Sequence, residues 1–245
     1  MVRTPRNVPE PGELVANRSK WTVRYKRIVA GAAYGDWATR GAKRALSVAL
    51  HKLAHGKCVF CESPLEVSGD LEVEHYTAKA LNPDLAFVWT NLLPSCRLCN
   101  RSKSDLDHGN ALLKPDIEDP EPFFWIHPDT GRLEPHPQLN AAEKQRAIRT
   151  IELCHLQRPA LCTKRAEMLS RVARWLELLA GTAGRSDPVT REWELLSHPT
   201  TEYKFVIRHV LRLQGQQALW NHDKSRFEAQ AAASGRDAPE AIGDS

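Results

Sequence analysis

Two cysteine pairs constrain this chain more than any other feature: Cys58-x-x-Cys61 and Cys96-x-x-Cys99, with residues 62–95 between them. Thiolates at this spacing close a tetrahedral site around Zn²⁺, so the bracketed segment must fold back until the two pairs meet. All four positions are filled by protein, which leaves no vacancy for water and makes a zinc ion here structural. The competing reading, four buried thiols without metal, needs two C-x-x-C units to coincide by chance. Cys154 and Cys162 have no paired spacing and fall in helical patterns, so they are expected to pack as small apolar residues. A disulfide framework is disfavoured, because Met1-Val2-Arg3-Thr4-Pro5-Arg6 is not followed by the apolar core of a secretory signal.

Hydrophobic residues at 42% and charged residues at 26% lie near globular averages, which excludes disordered and collagen-like classes. No run approaches the roughly 20 apolar residues of a membrane helix, so a cytoplasmic protein without membrane contact is expected. The net charge of +4 and pI near 8.8 are compatible with a polyanionic partner but do not demand one.

The sequence divides into five stretches. Residues 1–50 begin as a flexible arm with Pro5, Pro9 and Pro11, and order is expected from Trp21, with a helix over about Thr39–His55 on the imperfect stripe Ala42, Leu46, Val48, Ala49 and Leu53. Residues 51–115 switch to short segments and turns: Ser68-Gly69-Asp70 makes a turn, after which Leu71, Val73 and His75 alternate with Glu72, Glu74 and Tyr76 as in a strand. Prolines 115, 120, 122, 128, 135 and 137 mark residues 116–140 as a non-helical connector in which Phe123, Phe124 and Trp125 pack back on the rest. Residues 141–230 read as helices, with stripes on Ile148, Ile151 and Cys154, on Met168, Val172, Trp175 and Leu179, and on Tyr203, Val206, Ile207, Val210 and Leu213; Ser186-Asp187-Pro188 starts another. Residues 231–245 are expected to be a loose, disordered tail. The fold class is α+β: one small mixed module wrapped by helices that supply most of the core.

Inside the cysteine loop stands Val73-Glu74-His75-Tyr76, followed by Asn91 and, directly after Cys99, by Asn100. In order and spacing these positions resemble the HNH, or ββα-metal, nucleases, in which an acidic residue and a histidine end a strand, an asparagine lies in the loop and a histidine or asparagine sits on the helix. Phosphodiester hydrolysis needs an activated water, charge stabilisation at phosphorus and help for the departing oxygen. His75 is the candidate general base, since a neutral imidazole with an ordinary pKa of about 6.5 accepts a proton at neutral pH. Glu74 and Asn100 offer hard oxygen ligands for a catalytic Mg²⁺ or Mn²⁺. The resemblance implies that Asn91 braces the loop that orients His75. Because neighbours on an ideal strand face opposite ways, Glu74 and His75 serve one phosphate only where the strand ends or twists. Arg101 and Lys103 are read as either phosphate contacts or a solvated helix face, and His108 as an exposed polar residue.

A wider set of motifs resembles one branch of these nucleases, the PtuB-like effectors of Septu and certain retron anti-phage systems. They are Cys58-Val59-Phe60-Cys61-Glu62, Glu74-His75-Tyr76-Thr77-Ala78-Lys79, Trp89-Thr90-Asn91-Leu92-Leu93 and Cys96-Arg97-Leu98-Cys99-Asn100-Arg101-Ser102-Lys103. Downstream, Thr150 to Leu161 and Arg165 resemble the helical segment of that branch, with Gln157 where asparagine is more usual. The resemblance implies a DNA endonuclease that acts in phage defence with a PtuA-like ATPase partner. The alternatives are a stand-alone HNH nuclease of restriction or mobile-element origin, the same chemistry on RNA, and a non-catalytic zinc-ribbon module that binds nucleic acid or protein.

Overall fold

The alternation over residues 71–75 does produce a strand. In a computed structural model, which describes residues 1–65, 71–181 and 187–234, with side chains up to 229, β1 (Leu71–His75) pairs antiparallel with β2 (Leu92–Cys96). The register places His75 opposite Leu92 and Leu71 opposite Cys96. Cys96 then caps α3 (Arg97–Lys103), so strand, strand and helix follow in the order expected of a ββα unit. The expected turn at Ser68-Gly69-Asp70, the residue Ser186 and the tail from 235 lie outside the described residues.

Side chains on a strand alternate between faces, and here the alternation separates two cores. Leu92 packs with Leu14, Trp21 and Tyr25 of α1 (Gly12–Val29), with Leu46, Leu50 and Leu53 of α2 (Arg40–Leu53), and with Phe87 and Trp89. Leu93 belongs instead to the larger core, with Phe60, Phe124, Ile151, Val172, Trp175, Phe205 and Leu211. The two-stranded sheet is therefore a wall, with α2 and Val73 on one side and α3 on the other.

The chain before Trp21 differs from the expected arm. Met1 and Val2 are buried in the larger core, the Thr4 amide donates to Pro115 O at 2.8 Å, and Arg6 pairs with Asp116 at 2.6 Å while covering the Trp89 ring. Helix α1 already begins at Gly12, with Pro11 as its N-cap, so the prolines read as a breaker mark a helix start. The buried residues of the helix are sparse, Leu14, Trp21 and Tyr25, with Asn17, Arg18 and Lys20 between the first two, while Val15, Val23 and Val29 are exposed, which is why the stripe is weak in the sequence. Helix α2 starts where Thr39 accepts from the Ala42 amide, close to the expected boundary.

The connector folds into a hairpin of β3 (Phe124–Ile126) and β4 (Leu133–Pro135), and Phe124 is buried edge-on against Phe205. Gly131 in its turn has φ +64°, and an added Cβ would lie 2.1 Å from Cys162 O, so only glycine lets the turn approach the next helices so closely. Gln157 uses both ends of its amide on the Leu133 backbone, which pins β4 from below.

Five helices complete the larger core: α4 (Ala141–Leu153), opened by an Asn140–Glu143 capping box, α5 (Pro159–Gly181), α6 (Asp187–Ser197), α7 (Lys204–Leu213) and α8 (Gln217–Ser234). Trp175 stacks on Trp193 at 5.1 Å to join α5 and α6. Buried charges join the rest: Asp223 takes Lys204 at 2.5 Å and Arg208 at 2.7 Å, and Arg208 reaches Glu121 at 2.6 Å. Removing Asp223 alone would leave Lys204 buried without a carboxylate and Arg208 with Glu121 as its remaining partner, at a cost of about 3–5 kcal/mol. The α+β reading holds, with a ββα unit and a four-cysteine cluster wrapped by helices. Among the described residues no helix is long and apolar enough to cross a membrane.

Candidate active site and metal centre

Each cysteine pair is set by a local turn. The Cys58 amide donates to Ser63 O and the Glu62 amide to Cys58 O, a tight loop that requires φ +63° at Glu62. Cys96 and Cys99 stand at the N-cap and in the first turn of α3, three residues apart and so on one side of the helix. The Val59 amide donates to Pro94 O at 3.1 Å, tying the first loop to the strand that carries the second pair. All four sulfurs lie within 4.8 Å of one another, and Cys61 and Cys96 are 3.8 Å apart. A tetrahedron with metal–sulfur legs of about 2.3 Å has edges of about 3.8 Å, so the donor set fits a tetrahedral metal ion. Arg158 donates to Cys99 Sγ at 3.6 Å and to Cys96 Sγ at 4.0 Å, offsetting thiolate charge. The four thiols share protons through their mutual hydrogen bonds, which push Cys61 and Cys96 down, while burial raises Cys58 and the hydrogen bonds to the other cysteines raise Cys99.

The second cluster surrounds the end of β1, and there the side chains divide between the two faces of the strand. Glu72 and Glu74 face α3, where Asn100 Nδ2 donates to Glu72 Oε2 at 2.5 Å and Lys103 Nζ lies 2.9 Å from Glu74 Oε1. His75 faces the other way, against Trp37, whose ring meets it edge-on at 4.7 Å. The two expected metal ligands, Glu74 and Asn100, thus touch different partners, and Glu72 stands beside them. Lys103, read as a phosphate contact or a solvated residue, is instead buried against Glu74; it follows Cys99 by one helical turn and shares its inward face.

Burial controls the charge of both central groups. Glu74 is 1% exposed, and desolvation lifts its carboxyl to about 7 against the pull of Lys103. Lys103 is the close ion-pair partner of Glu74, but the contact is poorly aligned, so neither Glu74 oxygen accepts a well-formed hydrogen bond from the described residues. His75 is 5% exposed, and burial lowers it to about 3, so the ring is neutral and, while so buried, a weaker base than an ordinary histidine. Its Nε2 lies 3.0 Å from Ala86 O; if the ring proton sits there, as this partner requires, Nδ1 keeps its lone pair.

Asn91 is buried behind this pair and holds the intervening loop at both ends. Its Oδ1 accepts from the Thr77 amide at 2.8 Å, and its Nδ2 donates to Thr77 O at 3.0 Å and Leu85 O at 3.1 Å. Leu85 directly precedes Ala86, the residue that holds His75. The free edge of β1 opens onto a groove of about 310 Å³ lined by Trp37, Lys43, Glu72, Lys79 and Asn100. Lys79 lies over the Trp37 ring, and Lys43 pairs with Asp36 at the exposed rim. His108 is not on a continuing helix, since α3 stops at Lys103 and Ser104 takes φ +56°; half-buried, it sits 2.6 Å from Tyr76 O.

Glu72, Trp37, Lys43 and Arg158 were not singled out as site residues by their spacing. Glu72 carried a usable signal, since it shares a strand face with Glu74. Trp37 and Lys43 lie before the cysteine region and Arg158 far beyond it, so only the tertiary fold brings them in.

No family model matches the chain. Curated relatives do: the chain is 39% identical over 77 residues to the Septu protein PtuB of Bacillus thuringiensis, which covers 31% of this chain and 30% of that protein. It is 30% identical over 159 residues to the Septu protein PtuB of Bacillus mycoides (strain KBAB4), covering 53% of this chain and 51% of that one. It is also 28% identical over 182 residues to a protein of retron Vc95 in Vibrio cholerae serotype O1 biovar El Tor, named as a candidate HNH endonuclease, covering 70% of this chain and 82% of that one. The chain thus spans about half or less of the PtuB proteins it matches. The resemblance to PtuB-like HNH proteins seen in the motifs is borne out by these relatives.

Proposed function

We propose that this chain is a metal-dependent HNH endonuclease that hydrolyses DNA phosphodiester bonds, as the effector of a bacterial anti-phage system working with an ATPase partner. The observation that carries the reading is the end of β1. A neutral His75 and a buried Glu74 whose oxygens lack hydrogen bonds stand back to back beside a groove containing Asn100 and two lysines.

In this mechanism His75 is the base: with its Nε2–H donated to Ala86 O, Nδ1 takes the proton of the attacking water. The groove beside β1 is lined by Glu72 and Asn100 and not by Glu74 or His75, which are both buried, so the mechanism requires the strand edge to open as the phosphate binds. Glu74 and Asn100 would hold a Mg²⁺ or Mn²⁺ ion, with Glu72 close enough to Asn100 to join them. When bound, that ion stabilises charge on the scissile phosphate and its departing oxygen. Lys79 and Lys43 bring positive charge to the phosphate, and Asn91 fixes the loop that carries Ala86. A zinc ion on Cys58, Cys61, Cys96 and Cys99 would do no chemistry; it fixes α3, and so Asn100, against β1. Residues 51–115 are the catalytic module, and the rest of the chain builds the two cores around it.

The test is plasmid cleavage with Mg²⁺, with Mn²⁺ and with chelator, on the wild type and His75→Ala, alone and with the neighbouring ATPase plus ATP. Metal-dependent cleavage that His75→Ala abolishes and the ATPase controls is the expected result. Cleavage of RNA but not DNA would redirect the substrate, and no cleavage under any condition would leave a non-catalytic zinc module.

A further inference from the structure

Beside the cysteine cluster, away from β1, lies a second cavity of about 340 Å³ between α3, the start of α5 and the start of α7. Arg97, Arg158 and Lys164 line it, with the hydroxyls of Ser63 and Tyr203, 3.4 Å apart, and no carboxylate among its lining residues. We propose that this cavity binds a backbone phosphate of the nucleic acid, next to but distinct from the phosphate that is cut.

Three features point to a phosphate. Cys96 of the cluster is among the lining residues, and Arg158, which lines the cavity and donates to two cluster sulfurs, offsets part of the thiolate charge there, while Arg97 and Lys164 add two further positive charges. Lys164 pairs with Glu167 at 2.8 Å, but both side chains are more than half exposed, and such a pair is easily given up to a phosphate. The first turn of α5, a helix of 23 residues, faces the cavity through Ala160 and Leu161 and adds its positive end.

The position of the cavity favours nucleic acid over an acidic protein. Arg97, Asn100 and Arg101 occur at i, i+3 and i+4 on α3 and share a face, while Cys99 and Lys103 turn inward. Arg97 therefore lies at the cavity and Asn100 at the groove on the same side of one short helix. Three residues of helix rise about 4.5 Å, against about 3.4 Å per nucleotide along a strand. A strand laid along this face reaches the cavity one or two nucleotides from the groove. The inference rests on the nuclease reading and deepens it by marking where the uncut part of the substrate runs.

The experiment measures binding of a DNA duplex to the full chain carrying His75→Ala, by fluorescence anisotropy over a series of salt concentrations. Further substitutions are Arg97→Ala, Lys164→Ala, both together, and Arg132→Ala as a control at an exposed arginine that does not line the cavity. Loss of this one phosphate contact should reduce the slope of log affinity against log salt by about 0.9 in the double variant, with each single variant between that value and the parental slope. The control should keep the parental slope, and zinc content and thermal unfolding should stay unchanged, because Arg97 and Lys164 are exposed. Parental slopes in all variants would overturn the inference and leave the nuclease reading standing. Variants that keep the slope but lose the ATPase in co-purification would overturn it in favour of an acidic protein surface. A parent chain that binds no nucleic acid at any salt concentration would sink the nuclease reading and this inference with it.

Discussion

The cysteine cluster and the end of β1 lie in one small module, yet they are assembled in opposite ways. Each C-x-x-C is a closed local turn, so four donors converge once the two turns are brought face to face by the Val59–Pro94 hydrogen bond. At the strand end, the four motif residues are sent to different partners: Glu74 to Lys103, Asn100 to Glu72, His75 to Trp37 and Ala86, and Asn91 to the loop between. A structural metal site can close on itself because its work is done when it is full. A site that must admit a substrate has to leave groups unsatisfied and a groove open, and in the proposed function those parts fall to the buried Glu74 and to the separate groove lined by Glu72 and Asn100.

The largest effect should come from breaking the closed cluster. Cys58→Ser should lose the metal and the cooperative unfolding transition, since four-thiolate zinc sites in small modules contribute about 10 kcal/mol or more to folding. Elemental analysis should find one zinc per wild-type chain and little in the variant. A variant with unchanged melting would mean that the sulfurs pack without a metal and that the contrast between the sites is false.

His75→Ala comes next, and it should act on the open site alone. Cleavage should fall about 10²- to 10⁴-fold, with zinc content unchanged. The melting transition should drop modestly, because the ring fills space beside Trp37 and caps Ala86 O. Full cleavage by this variant would remove the strand end from the chemistry.

Smaller but more discriminating is the comparison of Glu74→Gln with Glu72→Gln. Glu74 has the unsatisfied oxygens, whereas Glu72 is the carboxylate that Asn100 touches. If Glu74 holds the ion, its variant should lose about 10²-fold in rate, as expected for electrostatic groups at the reacting centre, and should need more Mg²⁺ for half-maximal cleavage. Glu74→Gln also uncovers the buried Lys103, so assays must run well below its melting transition, and the metal requirement, not the rate alone, decides. A larger shift in metal requirement for Glu72→Gln would transfer the ligand role to that residue.

What the sequence made legible follows the same division. The cysteine cluster, β1, α2 and the helical second half were visible because each depends on short-range spacing or periodicity. The chain before Trp21 was misread because Leu14, Trp21 and Tyr25 are too sparse to announce a helix and because Met1, Val2 and Arg6 gain their partners only from residues far along the chain. Trp37, which covers His75, and Arg158, which donates to the cluster sulfurs, were invisible for the same reason. The residue types at positions 74, 75, 91 and 100 could be read, but not the directions of their side chains. Lys103 shows the gap most clearly, since a lysine near a presumed phosphate site suggested solvent or substrate and the helical turn from Cys99 carries it inward.

The smallest expected effect belongs to Asn91, and it tests whether that residue acts at a distance or on the ion itself. All its polar atoms are engaged with backbone: one oxygen with the Thr77 amide, one NH₂ with the Thr77 and Leu85 carbonyls. Asn91→Ala would leave those groups unpaired in a buried loop and let Ala86 drift from His75. The rate should fall about 10- to 100-fold, the range for groups that orient a site from behind, with the metal requirement unchanged. Asn91→Asp separates the two roles. A carboxylate would serve a direct metal ligand at least as well as an amide, but as a brace it puts an acceptor against two carbonyls that now receive hydrogen bonds. The aspartate variant should therefore be as slow as the alanine one and melt at a lower temperature than the wild type. An aspartate variant with wild-type rate and a lower Mg²⁺ requirement would instead place Asn91 on the ion and bring the two sites closer in kind than the contrast drawn between them allows.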